Sequence, residues 1–253
     1  MSNDSGARAG VTRRQVLATS AATAFVAAAS SKASALTFTQ LPEWSPFAHN
    51  PPPTAPPGDN WQFFTADEAA TIEAIVDRLI PADDLSIGGK EAGCAVFIDR
   101  QLKGFFGTFA RLYMEPPFGK GTPAQGDQSP LVPQQRYRFG LAELEQYCQS
   151  EHQASFKALN GDQQDQILSA LERGEIHFEK YPSADFFALV LQNTKEGFFA
   201  DPVYGGNKDM VSWKMIGFPG ARYDYRDYVE KHNQTLDLEP LSISGGTHWN
   251  HQG

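Results

Sequence analysis

The stretch Thr65-Ala66-Asp67-Glu68, followed by Ile72, Ile75, Val76, Leu79 and Ile80, constrains this chain more than any other. Thr65 is placed to cap a first helical turn while Glu68, three residues on, reaches back to it, which is a capping box. The apolar residues then recur at steps of three and four, so they line one stripe of a helix, and Pro81 stops it. The same spacing predicts a helix over about Glu91–Leu102 that closes near Gly104, then a less regular stretch through Phe105–Tyr113. Further helices are expected at about Gln134–Glu151, with Tyr137, Leu141, Leu144 and Cys148 on one face, at Ser155–Leu159, and at Asp162–Arg173 with Ile167, Leu168 and Leu171 inward. Ser183 reads as the cap of a last helix whose core side is Phe186, Phe187, Val190, Leu191 and Thr194. Met114–Pro133 is a loop by composition. With strand-like alternation scarce and no internal repeat, the expected fold is mainly α, a single irregular helical domain with long loops over residues 61–232, followed by a polar tail, 233–253.

Two segments precede that domain. Residues 1–35 carry basic Arg8, Arg13 and Arg14, a mild apolar run from Val16 to about Ala29, and Ala33-Ser34-Ala35, the pattern of a cleavable signal peptide. The pair Arg13-Arg14 matches a twin-arginine signal, and the run is too short and too interrupted by Thr19, Ser20 and Thr23 for a membrane anchor. That route carries folded proteins, often around a cofactor, so the mature chain is expected on the periplasmic side of a bacterial inner membrane. Residues 36–60 are rich in proline at 51–53 and 56–57, which favours an extended arm: either a spacer, or a strip laying Trp44 and Phe47 along a partner. A net charge of −9 and a pI near 5.1 argue against nucleic-acid binding. Cys94 and Cys148 are the chain's two cysteines. A disulfide between them would contribute about 4 kcal/mol on the chain-entropy model, but both sit on apolar helix faces, so buried free thiols and an intersubunit bond stay open.

Chemistry-bearing motifs are sparse. Gly205-Gly206-Asn207 lacks the G-x-G-x-x-G context of a dinucleotide site; there is no G-x-S-x-G elbow, no H-E-x-x-H helix, no C-x-x-C and no C-x-x-C-H. His248 and His251 could hold a metal only if folded over other ligands, and Asp67, Asp77, Asp83, Asp84, Asp99 and Asp201 read as caps and solvated faces. No catalytic, cofactor-binding or metal-ligating residue is therefore expected in this chain. The alternative is an independent periplasmic enzyme or metal-binding protein whose site is assembled from scattered Asp and His.

The run Phe198–Gly220, FFADPVYGGNKDMVSWKMIGFPG, suits a docking surface. Tyr204, Trp213 and Phe218 are residue types enriched at interface hot spots, Gly205, Gly206 and Asn207 allow a tight turn or a close backbone approach, and Pro219 with Gly220 sets a second turn. The competing reading is that these aromatics cover the domain's own helices.

Three blocks, FTADEAATIEAIVDRLIPADD (Phe64–Asp84), GGKEAGCAVFIDRQL (Gly88–Leu102) and Phe198–Tyr225, together with the leader, resemble the gluconate 2-dehydrogenase subunit 3 family. The resemblance implies the small subunit of a membrane-bound sugar or polyol dehydrogenase. Its partners would be a flavoprotein large subunit carrying FAD, with or without an iron–sulfur cluster, a multihaem cytochrome c subunit carrying haem c, and the twin-arginine translocation machinery. The small subunit would be needed for the large one to mature and be exported, with Arg13-Arg14 serving both and the cofactor belonging to the passenger.

Overall fold

The computed structural model describes residues 60–119, 121–125, 128–222 and 224–243, all within one compact unit. The signal residues Arg13, Arg14, Ala33 and Ala35, the proline-rich arm and the histidines of the tail lie outside the described residues. Among the described residues there are seven α-helices: α1 (Ala66–Leu79), α2 (Cys94–Lys103), α3 (Phe105–Thr108), α4 (Pro133–His152), α5 (Gly161–Glu172), α6 (Ser183–Phe199) and α7 (Val211–Ile216). Among the described residues there is no strand, only one isolated bridge between Gly220 and Leu241, and no helix is long and apolar enough to cross a membrane.

Local sequence explains where most helices begin. Thr65 accepts from the Glu68 N–H while the Glu68 carboxylate accepts from the Thr65 N–H, so the expected capping box is formed. Asn160 and Gln163 repeat the device at α5. Pro133 opens α4, where its missing N–H costs nothing. Three expectations shift. The second helix starts at Cys94 rather than near Glu91, because Gly93 takes a left-handed φ of 81° that helix cannot continue through. The stretch 105–113 keeps only the single turn of α3 before Phe109 turns left-handed. Ser183 is the first residue of α6 and buried, Pro182 standing at the cap, and the 155–159 segment shortens to a 3-10 turn at Phe156–Ala158.

α6 is the central helix, packing against α1, α2, α4, α5 and α7. Its Phe186, Val190, Thr194 and Phe198 are buried, whereas Phe187 and Leu191 are half-buried at the edge of the stripe. Around it close Ile72, Ile75 and Val76 of α1, Phe97, Ile98 and Leu102 of α2, Tyr137, Leu141 and Leu144 of α4, and Ile167, Leu168 and Leu171 of α5. Each such side chain contributes about 1.5–3 kcal/mol on burial. α4 comes close to α6 because Gly140 faces the Phe186 ring: a Cβ there would collide with it. A polar bond across that contact runs from Asn193 Nδ2 to the Tyr137 hydroxyl at 2.9 Å, which satisfies an otherwise costly buried phenol. At the surface, Arg78 of α1 donates to both Asp165 oxygens of α5, at 2.7 and 2.5 Å. That hydrogen bond holds the Asp165 carboxyl below its ordinary range, so its small contribution is present above about pH 4 and lost below it.

The disulfide considered between Cys94 and Cys148 is not formed: both thiols are free and buried. Burial pushes each up to about 12. A thiol raised in the folded state keeps its proton while the unfolded chain's thiol ionises from about pH 9, so this burial favours the fold below pH 9 and loses that advantage as pH rises toward 12. The thiolate is the nucleophile, so neither cysteine should react with iodoacetamide in the native protein at neutral pH. Both should alkylate after denaturation without reductant, read as two added masses; a single mass increment or none would show a bond that this fold does not have.

Candidate functional site

The block 198–220 folds as a rigid frame with an apolar rim. After α6 ends at Phe199, the Asp201 carboxylate caps a 3-10 turn, Pro202–Tyr204, by accepting from the Val203 N–H at 3.0 Å. Gly205 follows with φ 106°, and Gly206 lies so close to Gly197 of α6 that a Cβ would collide with the Gly197 carbonyl. The backbone at Gly205 likewise presses on Gly93 at the start of α2. This glycine pair therefore joins three segments of the chain's own backbone.

Asn207 is the hub of the frame. It is wholly buried, and its side chain donates to the Ala200 carbonyl at 2.9 Å while its oxygen accepts from the Ser212 N–H at 2.9 Å and the Ser212 hydroxyl at 2.8 Å. The end of α6 is thereby tied to the first turn of α7. The next N–H, of Lys208, donates to the Ala92 carbonyl at 3.1 Å and ties the hub to the approach to α2. Asn207, Asp209 and Met210 all have left-handed φ, of 47°, 55° and 57°. Asn and Asp tolerate this region, whereas for Met210 it costs about 1–2 kcal/mol, so the turn persists because the surrounding bonds over-determine it.

Trp213 is buried on the inner side of α7, its indole N–H donating to the Phe199 carbonyl at 2.9 Å. Trp213 and Asn207 are both buried in the frame, and their polar groups are paired within the chain. Gly206 is buried with them, and Gly205 is half-buried. Tyr204 and Phe218 do reach the surface, and Pro219 is half-exposed. Phe218 stands edge-on to Trp213 with ring centroids 5.2 Å apart. Phe199, Met215 and Ile216, which no motif singled out, complete the exposed rim; Ile216 is 57% accessible. The signal for Met215 and Ile216 in the sequence was the apolar excess of a six-residue helix, too short for its period to show two faces.

A strap from the C-terminal side closes the back of this frame. The Ala221 N–H donates to the Leu241 carbonyl at 2.7 Å, and Leu241 in turn donates to Pro219 at 3.2 Å. Asp201, buried, then accepts from the Ser242 hydroxyl and the Ile243 N–H, each at 2.6 Å. Part of the stretch read as a polar tail therefore packs on the domain. Asp99, also read as a cap or a solvated face, is buried at 1% accessibility and accepts three backbone N–H groups, from Gln62, Phe63 and Phe64. Among the described residues, the two buried carboxylates are thus engaged in holding the chain's own backbone. Among the described residues no cluster of three His, Cys, Asp or Glu is placed to hold a metal ion. A cleft between the 114–132 loop and α6 has Arg136, Lys180 and Asp185 as its charged lining, and the Arg136 Nε is bonded to the Leu131 carbonyl at 2.7 Å.

A family model described as gluconate 2-dehydrogenase subunit 3 matches residues 66–220, more than half of the chain. The match begins at the first residue of α1 and ends at the turn after the apolar rim, so it takes in both the helical core and the frame. No curated protein and no solved structure matches the chain.

Proposed function

This chain belongs to the gluconate 2-dehydrogenase subunit 3 family, and on that premise we propose that it is a non-catalytic small subunit of an FAD-dependent sugar or polyol dehydrogenase complex. A subunit 3 by family is one member of a multisubunit dehydrogenase. The role proposed for this one is to hold and mature the flavoprotein large subunit and to carry it across the inner membrane, with Arg13-Arg14 as the export signal for both. Electrons from the large subunit's FAD would leave through a multihaem cytochrome c subunit to membrane quinone. Substrate binding and redox chemistry belong to the partners in this reading.

The observation that carries the docking role is the apolar rim of Phe199, Tyr204, Met215, Ile216 and Phe218 on a frame locked by Asn207 and Trp213. Rigid aromatic and aliphatic side chains held in one conformation lose little entropy on association, which is what an interface anchor needs. The frame's left-handed turn is far costlier to build than a plain connector, and its product is this surface.

The test is a pull-down of the tagged chain from its native membrane fraction, read by visible spectrum and by dehydrogenase activity on a sugar panel. Flavin and haem bands should co-purify with activity. In the double variant Ile216→Ser/Phe218→Ser the yield of flavin should fall roughly tenfold or more, as expected for losing two anchors of an interface core. The helical circular dichroism of that variant should match the parent's, since both side chains are exposed. Undiminished flavin in the variant would move the docking surface elsewhere, and a parent that purifies alone and colourless would overturn the complex itself.

A further inference from the structure

A second exposed apolar group follows α2. The rings of Phe106 and Phe109 turn inward and meet edge-to-face at 6.1 Å; Phe106 packs on the core, and the Arg136 guanidinium lies 5.4 Å from the Phe109 ring. These contacts fix the base of a turn in which the Leu112 N–H donates to the Phe109 carbonyl at 2.9 Å. Phe105, Leu112 and Tyr113 take the opposite side, with accessibilities of 61%, 60% and 86%. The Arg111 guanidinium sits 4.0 Å over the Phe105 ring, so a cation and an apolar ring are presented together, and Lys103 is exposed beside them.

The turn is locally basic, as the α7 block is with Lys208, Lys214 and Arg222 against Asp209, and it is the exposed aromatic and apolar tip beside its cations that sets it apart. Residues 103–122 carry Lys103, Arg111 and Lys120 against the single acid Glu115, a net of +2 in a chain whose net charge is −9. An apolar, aromatic projection with cations at its base is complementary to the boundary layer of a bilayer: Leu and Phe enter among the acyl chains, Tyr keeps its hydroxyl at headgroup level, and Arg and Lys lay their stems along the apolar part while meeting phosphate. A local excess of basic residues favours an anionic over a neutral surface.

We propose that the turn Phe105–Tyr113 is a membrane-surface contact that docks this protein directly on an anionic lipid bilayer. The proposal is independent of the subunit reading, because it rests on a different surface and concerns this chain alone. The two surfaces divide the work: the α7 rim faces protein and the basic turn faces lipid.

The test is co-sedimentation of the purified chain with phosphatidylcholine vesicles, with and without phosphatidylglycerol. Binding is expected only with the anionic vesicles and should fall as added salt screens the Lys and Arg contacts. Leu112→Ser/Tyr113→Ser should lower the bound fraction roughly tenfold through loss of inserted apolar surface. Arg111→Gln should weaken it less and flatten its salt dependence, whereas Ile216→Ser/Phe218→Ser should leave it unchanged. All these side chains are exposed, and unchanged thermal melting confirms that the variants remain folded. Equal binding to neutral and anionic vesicles, or undiminished binding of Leu112→Ser/Tyr113→Ser, overturns the proposal. So does a Leu112→Ser/Tyr113→Ser variant that binds vesicles as the parent does but no longer co-purifies with flavin, which would make the turn a protein interface.

Discussion

Replacing Asp99 with alanine is expected to destabilise the fold by about 3–5 kcal/mol, because it leaves buried polar groups without a partner. Asp99 lies on α2, and its carboxylate accepts from the N–H of Gln62 at 2.7 Å, of Phe63 at 2.9 Å and of Phe64 at 2.8 Å. Three consecutive donors converging on one anion bind the segment before α1 to the middle of α2. That segment carries Phe64 into the core, where its ring lies 5.9 Å from Tyr137, and Phe63, over which the Arg138 guanidinium stacks at 4.2 Å. Arg138 also pairs with Glu68 and donates to the Phe63 carbonyl at 2.6 Å, so the same entry is gripped from α4. Without the carboxylate the three N–H groups face an apolar helix, and the entry segment comes away with its aromatics. Urea unfolding gives the measurement, and the melting temperature should fall by about 10 °C or more for a domain of this size. Asp99→Asn, which keeps an acceptor and loses the charge, should lie between the two. A loss under about 1 kcal/mol for Asp99→Ala would mean that water replaces the carboxylate and that the entry is held by its rings alone.

Asn207→Ala is expected to cost about 3 kcal/mol, from two causes that a second variant separates. Alanine removes the bonds to the Ala200 carbonyl and to the Ser212 N–H and hydroxyl, and it must also hold the left-handed φ of 47° without an amide that favours it. Asn207→Gly loses the same bonds but takes that φ freely, so it should recover about 1 kcal/mol of the loss. The expected order of stability is therefore Asn, then Gly, then Ala. If Gly equals Asn, the side-chain bonds contribute nothing and the position is only a turn; if Gly equals Ala, backbone strain is negligible. Both variants should also weaken flavin co-purification, although Asn207 is wholly buried, because the rim of α7 loses its fixed position. That coupling of a buried residue to assembly is what distinguishes a frame from a contact.

Residues with a local rule behind them were readable from the chain. The Thr65–Glu68 box, the stripe Ile72, Ile75, Val76 and the faces Tyr137, Leu141, Leu144 and Ile167, Leu168, Leu171 all fold as the spacing implies, since capping and helical period involve only neighbours within a turn or two. Cys94 and Cys148 were legible as buried, but whether they are bonded or free was not, because pairing depends on where two helices bring two sulfurs. Ser183 failed as a cap for a similar reason: a serine before an apolar run fits both the cap and the first turn, and Pro182 already holds the extended conformation.

The 198–220 block shows the division most sharply. Its composition marked it as something other than a connector, and Tyr204 and Phe218 do reach the surface. Composition could not say that Trp213 points inward while Met215 and Ile216 point outward, or that Gly205 and Gly206 are pressed against Gly93 and Gly197. By itself the sequence determined the helices, their inward faces and the kinship of the chain, because these are written in periods and short motifs. Only the tertiary structure decided the roles of Asp99, Asp201 and Asn207. Each is a polar side chain that looks solvated in isolation and becomes a clamp when segments 35 to 42 positions away, or the far end of a tight turn, bring their N–H groups to it. Burial converts an ordinary hydrogen bond into one the fold cannot leave unmade, and burial is a property of the packed chain rather than of any stretch of it.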